Sequence, residues 1–216
     1  NNCVFSANSA TNDGGAIDNE TSSALSLTGS LLTANSAHRG GAIFSDFGTN
    51  VLNHCTLLSN SAADGGAIDN DTNSVLTINY ATFSFNYGTN FGGTVINTNG
   101  GSIALNYSTL SSNSCPADWG GGIDNWSTAT LNNCTISGNL GGGFINTGGN
   151  AVCNNSTFSG NVVIFDGGGY YTYFGNDMLN NCTISGNSAN RRAGGLYVDA
   201  SSLIVLTNTV IAGNSA

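Results

Sequence analysis

The chain has 216 residues and a formal net charge of −9, yet only 7% of its residues are charged. All three of its cationic Lys or Arg residues are Arg, and this scarcity excludes nucleic acid and anionic membranes as partners, because both need cations to neutralise phosphate. No apolar run is long enough to span a bilayer, so we expect no membrane insertion. We expect a single domain over residues 1–216, and a processed or partial chain, because residue 1 is Asn rather than Met.

A four-residue phrase recurs nine times, each copy starting with an apolar residue and ending in Asn. In chain order its Asn residues are Asn8, Asn35, Asn60, Asn86, Asn113, Asn139, Asn161, Asn187 and Asn214. Successive Asn lie 22 to 27 residues apart. So constant a spacing indicates a solenoid, in which each period stacks on the next.

Two apolar positions recur in phase with these Asn. One follows a Gly-Gly doublet, at Ile17, Ile43, Ile68, Val95, Ile123, Phe144, Tyr170 and Leu196. The other precedes each Asn by eight residues, at Leu27, Leu52, Ile78, Leu105, Leu131, Cys153, Leu179 and Leu206. Each period therefore holds three short strands bounded by Gly and Asn. This predicts an all-β fold, a right-handed parallel β-helix forming a three-sided solenoid of about eight rungs of 22–27 residues, its hand taken from the general crossover preference.

Three phrases carry a resemblance to a known family. They are GGAI, ending at Ile17, Ile43 and Ile68; F-x-x-N, ending at Asn8, Asn86 and Asn161; and CTISGN, ending at Asn139 and Asn187. The first two resemble the repeat of the chlamydial polymorphic outer-membrane proteins, and the third is similar to many bacterial surface β-helix repeats. The resemblance implies a β-helix over the whole chain, an extracellular or cell-surface location, and a role in adhesion.

Four of the six cysteines occupy one inward position, five residues before the Asn of the repeated phrase: Cys3, Cys55, Cys134 and Cys182. Their rungs are never adjacent, so about 9–10 Å separates them, too far for a disulfide. We therefore expect buried thiols and no disulfide framework. No Cys or His pair has the spacing of a zinc site.

Acidic residues follow the Gly-Gly doublet at positions predicted to face solvent. Asp18, Asp69 and Asp124 lie one residue past the apolar position, and the set Glu20, Asp46 and Asp71 lies three past it on consecutive rungs. Like charges about 5 Å apart repel each other, and bound calcium would relieve this repulsion. Calcium held by Glu20, Asp46 and Asp71 is thus the one candidate cofactor; a solvated acidic strip is the alternative.

Three further surface features are candidate sites. An outward threonine array on six consecutive rungs is typical of ice-binding solenoids, although Thr also suits any exposed strand position; it comprises Thr56, Thr82, Thr109, Thr135, Thr157 and Thr183. A row of aromatic residues would suit stacking on sugar rings or on a neighbouring molecule, or would simply cover turns; it comprises Trp119, Trp126, Tyr171, Tyr173 and Tyr197. Sequons make Asn19, Asn70, Asn106 and Asn125 candidate glycosylation sites.

The sequence favours a scaffold over an enzyme. A compact pair of Asp residues, as glycoside hydrolysis requires, is absent, and Arg39 is the only cation beside the acidic strip. We predict a non-enzymatic extracellular structural or adhesive β-helix, either the stalk of a surface adhesin or a subunit that polymerises end to end. The expected partners are copies of itself or flanking coils, and carbohydrate. The alternatives are an ice- or crystal-surface binder and a polysaccharide-binding or -cleaving β-helix.

Overall fold

The predicted strands stack into parallel sheets, each strand pairing with the equivalent strand of the next period. The computed structural model describes residues 1–117, 119–199 and 201–216. Three long sheets run the length of about eight coils and form the three faces of a parallel β-helix, as predicted. The described residues include no helix, and hence none that could cross a membrane.

Sheet 1 consists of the strands that precede the Asn of the repeated phrase. It has nine strands: Val4–Ser6, Leu31–Thr33, Thr56–Leu58, Thr82–Ser84, Thr109–Ser111, Thr135–Ser137, Thr157–Ser159, Thr183–Ser185 and Val210–Ala212. In each three-residue strand the middle residue points inward, because side chains alternate between the two faces of a strand. Leu57, Phe83 and Ile136, for example, are completely buried.

Sheet 2 consists of the strands that follow the Gly-Gly doublet. Its eight strands are Ile17–Glu20, Ile43–Asp46, Ile68–Asn70, Val95–Asn97, Ile123–Asn125, Phe144–Thr147, Tyr170–Tyr173 and Leu196–Val198. Sheet 3 carries the second apolar series on Ala24–Thr28, Thr49–Asn53, Val75–Asn79, Ser102–Asn106, Thr128–Asn132, Asn150–Asn154, Asn176–Asn180 and Leu203–Thr207.

The segment between sheet 1 and sheet 2 is less regular and forms two short sheets of two strands each. Ser61–Asp64 pairs with Tyr87–Phe91, and Val162–Val163 pairs with Ser188–Ala189. A bulge between Gly88 and Phe91 breaks the pairing register of the first of these sheets. This segment differs in length from coil to coil, and it forms loops beside the outer face of sheet 2.

The Asn residues of the repeated phrase form an unbroken hydrogen-bond ladder inside the helix, here called the first asparagine ladder. From Asn8 to Asn187, each side-chain Nδ2 donates to Oδ1 of the Asn one coil further on, over 2.8 to 3.1 Å. The backbone N–H of each of these Asn donates to the same oxygen. The ladder thus satisfies polar groups that water cannot reach.

Cys3, Cys55, Cys134, Cys153 and Cys182 are thiols outside any disulfide bond. Cys55, Cys134 and Cys182 are buried at the inward position predicted for them, and Cys153 lies in the core beneath sheet 3. Burial raises the pKa of the Cys134 thiol to about 11, so it stays protonated at neutral pH. These residues act as small apolar side chains.

Candidate binding groove on the outer face of sheet 2

The outward positions of sheet 2 form a column that loops partly cover. Parallel pairing aligns Asp18, Phe44, Asp69, Ile96, Asp124, Ile145, Tyr171 and Tyr197. We expected the acidic members of this column to lie in solvent, but Asp69 is 4% exposed and Asp124 is fully buried. Asp18 is exposed as predicted, and the prediction was wrong for Asp69 and Asp124 because it treated each strand alone, without the loops that close over the centre of the sheet.

Arg39 organises the charges at one end of this column. Its guanidinium makes a bidentate contact with Asp13, with Nε to Oδ1 at 2.7 Å and Nη2 to Oδ2 at 3.0 Å, and its Nη1 reaches Asp71 Oδ2 at 3.3 Å. Its Cζ lies 4.2 Å from the centre of the Phe44 ring, a cation–π distance. The alignment of Asp13, Arg39 and Asp64 on successive coils follows the sequence pattern, whereas the contact with Asp71 does not.

The candidate calcium ligands are not gathered into a site. Glu20 pairs with Asp46 across neighbouring strands, as expected. Asp71, however, is bound by side chains other than these two. Its carboxylate accepts hydrogen bonds from Thr98 Oγ1 at 2.9 Å and Asn99 Nδ2 at 2.6 Å, besides the Arg39 contact. Within the described residues, no group of three or more His, Cys, Asp or Glu side chains is placed to hold a metal ion. Calcium binding by Glu20, Asp46 and Asp71 therefore stays a prediction that this arrangement does not support.

A cleft of about 490 Å³ lies over the middle of the column; we call it the sheet-2 groove. Its floor contains Asp69 and Ile96. One wall is the segment before the Gly-Gly doublets, with Arg39, Asp64 and Phe91, and the other wall is the turn after the strands. That second wall comprises Asp71, Thr98, Asn99, Gly100 and Trp126.

The three carboxyl groups of the groove differ in environment. Burial raises the pKa of Asp69 well above its usual value, and the neighbouring Asp71 charge adds to this effect. The pKa of Asp71 is lowered, because hydrogen bonds from Thr72, Asn99 and Thr98 and the charge of Arg39 outweigh its partial burial. Oδ1 of Asp69 and Oδ1 of Asp64 are buried with no hydrogen-bond partner among the described residues. The carboxylate of Asp71 thus has its hydrogen bonds satisfied, whereas Asp64 and Asp69 each keep one oxygen that could accept a further hydrogen bond.

Trp126 and Phe91 give the groove an apolar surface beside these carboxyl groups. Trp126 is 42% exposed, and its ring meets that of Phe91 edge to face with centroids 6.0 Å apart. Phe91 also contacts Trp119, again at 6.0 Å. Phe91 therefore contacts both indole rings at the edge of the groove.

Two residues of the predicted aromatic row border a second, smaller cleft of about 280 Å³ further along sheet 2. Trp119 and Tyr171 line it together with Phe165, Asp166 and Arg191. Tyr171 stacks on Tyr197 at 5.4 Å, and Tyr173 packs against Phe174. Asp166 accepts hydrogen bonds from both Arg191 and Arg192, an ion pair that the sequence pattern did not predict. The five aromatic residues therefore do not form one continuous row.

Asp124 is a buried carboxyl group between the two clefts. Its oxygens have no hydrogen-bond partner of good geometry among the described residues. Burial raises its pKa to about 7, and the Trp126 side chain only partly opposes this shift. The group therefore keeps its proton to a much higher pH than an exposed Asp does, inside a face that the sequence placed in water.

The sequon asparagines all donate hydrogen bonds in the folded chain. Asn70 and Asn125 belong to a second asparagine ladder inside sheet 2, where Nδ2 of each donates to the next coil over 2.7 to 2.8 Å, and Asn19 donates to Asn50 at 3.0 Å. Asn106 donates to Asn79 at 2.9 Å in a half-buried ladder along sheet 3. The alternation of each sheet 2 strand already signals that Asn19, Asn70 and Asn125 point inward. These three side chains are buried in this conformation, and glycosylation of the sequons stays a prediction.

The threonine array is in register on sheet 1, on the face of the helix away from the sheet 2 strands. Pairing aligns Thr56, Thr82, Thr109, Thr135, Thr157 and Thr183 on six consecutive coils. The residues two positions further on also align, and from Ser84 to Ser185 all of them are Ser. The predicted geometry of the array is confirmed, while its binding to ice remains a prediction.

Comparison with known proteins yields one match. Residues 2–20 match the family model described as the Chlamydia polymorphic membrane protein (Chlamydia_PMP) repeat. The matched stretch contains the first sheet 1 strand, Asn8, a Gly-Gly doublet and the first sheet 2 strand, which together are most of one coil. No curated protein and no solved structure matches the chain. The repeat of this β-helix is therefore similar to that of the Chlamydia polymorphic membrane proteins, a resemblance that suggests a surface, adhesin-like β-helix.

Proposed function

We propose that the chain is a non-enzymatic, extracellular structural and adhesive β-helix. It serves as a length of the stalk of a surface adhesin or as a subunit of an end-to-end fibril. The family match to residues 2–20 supports a surface role. The observation that carries the proposal is the constant register of the first asparagine ladder from Asn8 to Asn214.

Both terminal coils present a strand edge and apolar side chains. Val4–Ser6 and Val210–Ala212 each pair on one side only within the described sheet. Ile211 is 43% exposed at the inward position where Ile136 is completely buried, and Phe5, at the same position of the first coil, is only partly buried. A further coil, of the same chain or of another copy, would pair with such an edge and cover these side chains.

The two ends are also complementary in register. The first asparagine ladder begins at Asn8 and finishes at Asn214, so stacking the last coil of one copy on the first coil of the next would extend the same ladder. A contact of this kind joins unlike surfaces and does not close, so it produces a fibre.

Light scattering of the purified chain over a range of concentrations tests assembly. We expect the wild-type mass to rise with concentration, and we expect Ile211→Lys to hold the chain at the monomer mass because the new cation would be buried in the joint. Thr135→Lys, on the side of the solenoid, is the matched control and should assemble normally. A wild-type chain that stays monomeric at high concentration would contradict end-to-end assembly.

Ice binding is the second candidate, favoured by the threonine array on sheet 1. The test is the shape of single ice crystals grown in the protein solution. Faceted crystals with the wild type and rounded ones with Thr135→Lys would support it. Normal crystal shapes with the wild type would exclude it.

A further inference from the structure

We propose that the sheet-2 groove binds a neutral oligosaccharide, which is a ligand for the adhesive function proposed above and so rests on that function. The proposal stands on the composition of the groove, on an unpartnered buried carboxyl group in its floor, and on the balance of charge around it.

The buried carboxyl group shows that the groove is prepared for a polar partner. Asp69 is 4% exposed, lines the groove, and has one oxygen without a partner among the described residues. A buried polar atom without a hydrogen bond is costly unless a ligand supplies one. Across the groove, Oδ1 of Asp64 is in the same condition.

The groove also offers what a sugar ring requires on its other side. The centroids of the exposed Trp126 indole and the Phe91 ring lie 6.0 Å apart. The indole presents a flat apolar surface in the same groove that Asp69 lines. Sugar rings have C–H faces that pack on aromatic rings and hydroxyl groups at their edges that donate to carboxylates. Thr98 and Asn99 bring further hydroxyl and amide groups to the same wall.

The charge of the groove favours a neutral sugar over an acidic one. The carboxyl groups of Asp64 and Asp71 share the groove with a single guanidinium, and Asp69, whose raised pKa favours its neutral form, brings no cation. That guanidinium, on Arg39, already pairs with Asp13 and Asp71. A uronic acid would therefore meet negative potential and find no unpaired cation among the described lining residues.

Saturation-transfer NMR with five hexasaccharides tests the proposal. The probes are cellohexaose, xylohexaose, mannohexaose and chitohexaose as neutral sugars and hexagalacturonate as the acidic one. We expect at least one neutral sugar to bind and hexagalacturonate to give no signal. Calorimetry with the neutral sugar that binds best should then show about a tenfold or greater loss of affinity for Trp126→Ala and a measurable loss for Asp69→Asn.

Tyr107→Ala is the matched control, because Tyr107 is an exposed aromatic residue stacked on Tyr80 at a different turn of the coil. It should bind the sugar as the wild type does. Binding of no neutral sugar, preference for hexagalacturonate, or equal losses for Tyr107→Ala and Trp126→Ala would overturn the proposal. Thermal melts of each variant identify any that has not folded. If Trp126→Ala does not fold, the affinity of the conservative variant Asp69→Asn decides, and an affinity equal to that of the wild type would contradict the proposal.

The same samples separate this proposal from the proposed function. If the chain assembles in light scattering but binds no sugar, end-to-end assembly stands and the proposed ligand of the groove is refuted. Shortening of a bound hexasaccharide during incubation would contradict the non-enzymatic role and leave sugar binding intact.

Discussion

A single side chain of the first asparagine ladder serves several polar groups at once. Oδ1 of Asn113 accepts hydrogen bonds from the backbone N–H and the Nδ2 of Asn86, at 2.9 and 3.0 Å. Its own Nδ2 donates to Phe83 O at 3.2 Å and to Asn139 Oδ1 at 3.1 Å. All of this lies in the interior, where water cannot replace a lost partner.

Replacing Asn113 with Ala should therefore be among the most destabilising small substitutions in the chain. We expect a loss of about 3 kcal/mol or more in the free energy of unfolding, since each unsatisfied buried group costs roughly 1–3 kcal/mol. Urea denaturation measures it. Asn8→Ala, at the exposed first position of the same ladder, should cost much less, and equal losses at both positions would refute the buried-ladder explanation.

Asp124 predicts how stability changes with pH. Its pKa is raised by burial from 3.8 to about 7, so the folded chain holds this proton more tightly than the unfolded chain does. The resulting stability is fully present below about pH 4 and is lost as the pH rises to about 7, by at most about 4 kcal/mol. Asp177, with a pKa raised to about 6, acts in the same direction.

Urea denaturation of Asp124→Asn between pH 4 and pH 7 should accordingly show a shallower decline in stability than the wild type shows. Asp166→Asn is the control, because the pKa of Asp166 is lowered by its two arginines and the group does not titrate in this range. Parallel pH profiles for the wild type and Asp124→Asn would show that Asp124 is not buried as described.

The candidate site was only partly predictable, and the reason lies in particular residues. Strand alternation correctly placed Asp69 and Asp124 on the outer face of sheet 2. It could not predict that the irregular segment carrying Phe91 would close over that face. The length of this segment varies between coils, and no repeat constrains its path, so the groove and the raised pKa of Asp69 appear only in three dimensions.

At the scale of the strand, the period of the sequence correctly predicted which strands pair and in which register in the three long sheets. Each sheet pairs the residues that occupy the same place in the repeat, as with Ile78, Leu52 and Leu105 in sheet 3. Parallel stacking makes this possible, because an interior column needs the same type of side chain at one position of every coil. The short sheet containing Tyr87–Phe91 was not predicted, because its strands carry no repeated apolar pattern.

An interior position of sheet 1 tests this register. Ile136→Asp should prevent folding, because the substitution would place an unpaired charge in a fully buried position between the neighbouring coils. Circular dichroism and thermal melting of the purified variant measure the effect. Ser137→Asp, next to it on the outward face, should fold and melt close to the wild type. Native-like melting of Ile136→Asp would show that the strand is assigned to the wrong face.

The whole molecule is a stack in which each coil contacts the coils on either side of it, so stability should follow the number of coils rather than any one of them. The shortest period separates Asn139 from Asn161 by 22 residues. Leu140 and Val162 occupy equivalent places, pairing across the two coils.

Excising residues 140–161 therefore joins Asn139 directly to Val162 and leaves every later residue in register. We expect this variant to fold with the same circular dichroism spectrum and a lower midpoint in urea. The slope of its unfolding free energy against urea concentration should fall by about one eighth, because that slope follows the surface exposed on unfolding and one coil of about eight is missing. Excising residues 140–150 alone removes part of a coil and puts the following strands on the wrong faces, so that variant should not fold, because register decides which side chains are buried. If the whole-coil deletion fails to fold while the part-coil deletion succeeds, the coils do not behave as interchangeable units of a stack.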